Sequence, residues 1–123
     1  MLTFREEFLK LALEFADVTE KAFERNSEKS EMSKNIKISR QLRTKLDSIC
    51  QKAKKDEILY QIEGFMSHDN KYIRCLAAMY SLFTFPVVAE KILEELMDLP
   101  KPNAVGAQAF TILEVWRKGL MNL

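Results

Sequence analysis

One histidine, two cysteines and a row of acidic side chains are the residues of this 123-residue chain that could do chemistry. His68 stands in the polar run Ser67-His68-Asp69-Asn70, and a histidine acting as general base needs a carboxylate to orient it and a group to deprotonate. Asp69 is only its neighbour in sequence, so His68 reads as a turn residue. Cys50 and Cys75 form no C-x-x-C pair. Each falls inside a predicted helix and reads as a small buried hydrophobe of a reducing compartment. One histidine and two separated cysteines are too few donors for a four-ligand zinc site. Gly64, Gly106 and Gly119 are scattered, whereas a phosphate cradle or a dinucleotide fingerprint clusters its glycines ahead of a helix. No catalytic residue, cofactor or metal ligand is assigned, and the chain is expected not to be an enzyme.

Charged side chains offer binding chemistry instead. Glu90, Glu94 and Asp98 recur every fourth residue on the outer face of a predicted helix. Like charges at that spacing cost a few tenths of a kcal/mol per pair, so the stack reads as either a solvated face, partly neutralised by Lys91, or an acidic patch offered to a basic partner. Opposite in sign, residues 31–55 hold eight Lys and Arg against Glu31 and Asp47, a net +6 within a chain of 19 basic and 18 acidic residues. At about 100° per residue, Lys34, Lys37, Lys45, Lys52 and Lys55 fall in one stripe, a form that suits phosphate contacts as well as ordinary solvation. Aromatic side chains that would stack bases are missing from this segment. Residues 3–30 are net −2, with five basic and seven acidic residues, so a neighbouring antiparallel helix can neutralise part of the stripe.

The elements that must position these groups read as helices throughout. With three Gly and three Pro, the turn residues that strands need are lacking. Thr3 and Glu6 form a capping box ahead of Phe4, Phe8, Leu11, Ala12, Phe15, Ala22 and Phe23 at helical spacing, up to the polar run from Asn26. A second helix is expected over about Met32–Lys54, capped by Ser30 or Ser33, with Ile38, Leu42, Leu46, Ile49, Cys50 and Ala53 inward. Asp56 is the expected cap of a third, with Ile58, Leu59, Ile62, Phe65 and Met66 as its stripe, and Asp69 or Asn70 caps a fourth from Lys71 to about Phe85. That fourth helix is apolar nearly all round, so it needs cover on more than one side. Tyr72, Met79 and Phe83 lie along one of its lines, either buried between helix pairs or exposed as a protein-binding hot spot. Pro86 opens a fifth helix with Val88, Ala89, Ile92, Leu93 and Leu96 inward. Asn103 caps a sixth, whose stripe is Val105, Ala109, Ile112, Leu113 and Trp116, and Gly119 suits a positive φ past its end.

From Asp69 to Leu82 the sequence resembles the second helix of a HEAT repeat: an aspartate, then Ile73-Arg74, the paired Ala77-Ala78 and Leu82. More narrowly, Phe65 to Gly119 is similar to a family of short bacterial HEAT-like proteins described only as a domain of unknown function. The matching features are His68-Asp69-Asn70, Ile73-Arg74, Ala77-Ala78, Pro86, the Ala89-to-Leu96 helix and Trp116-Arg117, while Met79 and Tyr80 depart from the small or polar residues usual there. The resemblance implies one all-α domain over 1–123, about six helices stacked as antiparallel pairs. By analogy it also implies a non-enzymatic protein-binding module, an immunity protein that binds and blocks a cognate toxin domain, nuclease-like where the acidic patch serves. Glu90, Glu94, Asp98, Tyr72, Met79 and Phe83 are then the candidate partner-binding residues. The alternative is a nucleic-acid-binding adaptor using the basic helix 32–55. No run approaches the roughly 18 apolar residues of a membrane span, and Arg5, Glu6, Glu7 and Lys10 interrupt any signal-peptide core, so a cytoplasmic location is expected.

Overall fold

A computed structural model describes residues 1–22 and 28–123; Phe23 and the start of the polar run at Asn26 lie outside the described residues. Within them the chain is all-α: α1 (Phe4–Ala22), α2 (Lys29–Lys55), a 3-10 helix (Leu59–Ser67), α3 (Lys71–Ser81), α4 (Pro86–Met97) and α5 (Ala104–Arg117). The expected caps at Thr3, Asn70 and Asn103 form. Glu6 N–H donates to Thr3 Oγ1 at 3.2 Å while Thr3 N–H donates back to Glu6 Oε1 at 3.3 Å, Asn70 Oδ1 accepts from the N–H groups of Tyr72 and Ile73, and Asn103 Oδ1 accepts from that of Gly106 at 2.8 Å. Each satisfies donors that the first helical turn leaves without a partner.

The region between α2 and α3 departs from expectation. Ser30 and Ser33 lie inside α2, which begins after Glu28. Asp56 closes α2 as its C-cap instead of opening the next helix. Glu57 then takes a left-handed φ of 62°, its N–H donating to Lys54 O at 3.2 Å and that of Ile58 to Ala53 O at 2.9 Å. This is the paired bonding of a Schellman turn at a position that favours glycine. Glu57→Gly should therefore raise the unfolding free energy by about 0.5–1 kcal/mol in urea denaturation. The segment that follows is a 3-10 helix and not an α-helix; of its buried Leu59, Ile62, Phe65 and Met66, the first three repeat every three residues, the period of a 3-10 ridge.

Packing makes α3 the centre of the molecule. Arg43, Asp47 and Lys54 of α2 meet Met79, Tyr80 and Phe83 in that order. On the other flank Tyr72 lies near Ala104 of α5 and Phe83 against Trp116. Thus α2 advances along α3 in the same direction, and α5 meets α3 from the other flank. With a helix on each flank and α4 packed against it, α3 buries every residue from Tyr72 to Ser81 except Arg74. The paired Ala77 and Ala78, both fully buried, allow this close approach. In front of it Phe8 of α1 stacks on Phe65 with ring centroids 5.7 Å apart and meets Tyr80 edge-on at 6.1 Å, joining three elements in one aromatic cluster.

Candidate functional site

Helix α4 begins at Pro86 and turns Ala89, Leu93 and Leu96 inward; Val88, expected among them, is 46 % exposed because at about 100° per residue it stands roughly 100° to the side of that stripe. The row of carboxylates beside this stripe is not a uniform acidic patch. Glu90 is half-buried and its Oε1 accepts from Trp116 Nε1–H at 3.0 Å. Glu94 Oε1 pairs with Arg117 Nη2 at 2.6 Å. Two of the three carboxylates thus hold α5 against α4, and the like-charge cost of their spacing is offset by these partners. Asp98, the exposed C-cap of α4, remains directed to solvent, as does Glu95.

The apolar surface line expected on α3 does not form. Tyr72 and Met79 are buried because α1, α2 and α5 close over them. Phe83 is half-buried, edge-on to Trp116 at 5.7 Å, with Lys54 Nζ 4.7 Å from its ring centroid on the other side. Exposed apolar surface lies elsewhere. Phe110, 53 % exposed, and Met97, 37 % exposed, line a groove of about 220 Å³ between α4 and α5, with Glu114, Arg117 and Lys118 along it. Phe110 carries its own signal in the sequence: it stands about 110° away from the centre of the α5 stripe at 100° per residue, a large aromatic that the buried face cannot accommodate.

The five lysines Lys34, Lys37, Lys45, Lys52 and Lys55 are all exposed. Antiparallel packing brings α1 carboxylates to two of them: Lys45 shares a surface groove with Glu7, Lys10 and Glu14, and Lys52 another with Glu7 and with Asp56 at the end of α2 itself. A nucleic-acid backbone laid along the stripe would meet these carboxylates at its middle, which weakens the attraction to phosphate.

His68 lies in the turn before α3, where its Nδ1 accepts from Asn70 N–H at 3.0 Å. Arg74 Nη1–H folds back to donate to the carbonyls of His68 at 2.8 Å and Asp69 at 3.0 Å. The imidazole and the guanidinium brace the turn. Among the described residues no group of three or more His, Cys, Asp or Glu is arranged to hold a metal ion, and no helix is long and apolar enough to cross a membrane.

Cys50 and Cys75 are buried and unpaired. Burial pushes the Cys75 thiol from its ordinary 9.0 up to about 12, against the opposing influence of Arg43, and it pushes Cys50 up further, helped by Asp47. Thiolates are therefore suppressed in the folded state. Because the folded values lie above the unfolded ones, stability is complete below about pH 9 and falls as the pH rises toward 12. Iodoacetamide at pH 8 should label neither cysteine faster than the protein opens, and urea should bring both reactions on together; rapid labelling of the native protein would contradict the burial.

Comparison of the chain with protein-family models, with curated proteins and with solved structures gave no match.

Proposed function

We propose that the chain is a non-enzymatic protein-binding module whose partner face is the outer side of the last helix pair. The observation that carries this reading is the α4–α5 groove, where Phe110 and Met97 stand exposed side by side. Arg117, Lys118, Glu114 and the solvent-directed Glu95 and Asp98 surround it. Exposed aromatic and Met side chains within a charged rim are the composition of a binding hot spot. The HEAT-like resemblance narrows the partner to a toxin domain that this chain neutralises, and the acidic end of α4 suits a toxin with a basic active site.

The test is co-purification of the chain with the product of the neighbouring gene, followed by titration. Phe110→Ala should weaken a complex about tenfold or more through faster dissociation. Asp98→Lys together with Glu95→Lys should slow association, with an effect that shrinks as salt rises. Glu90 and Glu94 are unsuitable for this test, since their loss frees Trp116 and Arg117. Lys45→Glu with Lys52→Glu should leave the complex intact. Retention of RNA by the native chain, lost in that lysine double variant and steeply salt-dependent, would replace this reading with the nucleic-acid one.

A further inference from the structure

A second feature, on the opposite end of the helices from the partner groove, concerns Arg43. Its guanidinium is half-buried between α2 and α3 and has one hydrogen-bond acceptor among the described residues, the thioether of Met79, at 3.3 Å from Nη2. Its Nε–H is buried with no acceptor. A thioether is a weak acceptor, and a guanidinium has five donors in a fixed fork suited to a carboxylate. The nearest acidic residue along the helix, Asp47, directs Oδ1 to the Tyr80 hydroxyl. Neither Arg40 nor Arg43 is ion-paired among the described residues.

Both arginines line an open cavity of about 410 Å³ bounded by α1, α2, α3 and α5. Phe15, Ile36 and Tyr72 give it apolar walls. Thr19 lines it as well, 8 % exposed, with its Oγ1 buried and unpartnered. Tyr72 and Ala104 bring the first turns of α3 and α5 to its edge, and helix N-termini add partial positive charge. The opposing charge is Glu20, close enough to Tyr72 to raise its phenol together with burial and exposed on the rim. The volume is that of a small-molecule site.

We propose that this cavity binds a small amphipathic carboxylate, its acid group on the Arg43 fork with Arg40 beside it and its apolar body against Phe15 and Tyr72. This site uses none of the residues of the partner groove, so it stands or falls separately from the function proposed above. The probe is 3-phenylpropionate, with the isosteric alcohol 3-phenylpropan-1-ol as the uncharged control, titrated into the full chain and followed by amide NMR. Saturable shifts centred on Thr19, Ser39, Ala104 and Gln108 are expected for the acid, with the alcohol about tenfold weaker or worse. Arg43→Gln should remove that difference. Should Arg43→Gln disturb the fold, Arg40→Gln, at an exposed position, should weaken the acid while leaving the alcohol unchanged. Equal binding of acid and alcohol, an Arg40→Gln variant that binds the acid as tightly as the native chain, or shifts that never saturate would overturn the site.

Discussion

Phe8→Ala should cost about 4 kcal/mol of folding stability and lower the melting temperature by roughly 15 °C. Phe8 is fully buried, and its ring is the link through which α1 meets both the 3-10 helix, at Phe65, and α3, at Tyr80. Truncation removes the transfer energy of the ring and leaves a cavity that three elements would have to move together to fill. It also ends three aromatic contacts, with Phe4, Phe65 and Tyr80, of a kind worth about 0.5–1.5 kcal/mol each beyond burial. Against a total of about 5–15 kcal/mol for a domain of this kind, that loss separates a stable protein from a marginal one. Urea denaturation of both proteins measures it, and Phe110→Ala is the internal control. The same substitution at a ring 53 % exposed should change stability by less than about 1 kcal/mol. A loss below about 1 kcal/mol at Phe8 would mean that α1 is not docked as described.

The helical architecture is legible in the sequence wherever a local interaction is strong enough to set a boundary. Thr3 with Glu6, Asn70, Asn103 and Pro86 open helices where they are expected, and Gly119 adopts a φ of 71° just past α5. What is not legible depends on distant partners or on near-degenerate backbones. The spacing of Ile58, Leu59, Ile62, Phe65 and Met66 satisfies an α-helical stripe, while its subset Leu59, Ile62, Phe65 satisfies a 3-10 ridge equally well. Only packing against Phe8 and α3 decides between them. Glu57 in a left-handed conformation is unreadable for the same reason, since no glycine marks the turn. The candidate site is legible only in part. Spacing places Glu90 and Glu94 on one face of α4, but that Trp116 and Arg117 come to meet them is a property of how α5 crosses, 26 and 23 residues further along. Phe110 is the reverse case, a residue whose misfit to the α5 stripe is visible in the sequence and whose neighbour Met97 comes from another helix.

Asn103 and Gly106 should show the strongest coupling of any pair in the second half of the chain. Asn103 Nδ2 donates to Leu96 O at 2.8 Å and lies 3.3 Å from Leu99 O, closing the end of α4, while its Oδ1 caps α5 through Gly106 N–H. One side chain thus fixes how α5 leaves α4 and hence how the Phe110 and Met97 groove is shaped. A Cβ on Gly106 would lie 2.2 Å from Asn103 Nδ2, so Gly106→Ala forces the amide out of all these bonds. Losing the cap and the Nδ2–H bond to Leu96 O, which keeps the longer 3.4 Å bond from Leu99 N–H, should cost about 2–3 kcal/mol, reduced by about 1 kcal/mol because alanine is the better helix former. Asn103→Ala should cost about 2–3 kcal/mol by the same losses. In the Asn103→Ala background the clash is gone, and there Gly106→Ala should stabilise by about 0.5–1 kcal/mol. A change of sign between the two backgrounds, read in a double-mutant cycle of urea denaturations, is the expected result. Additive losses would mean that Gly106 is needed for some contact other than Asn103, and that the cap does not set the geometry of the partner groove.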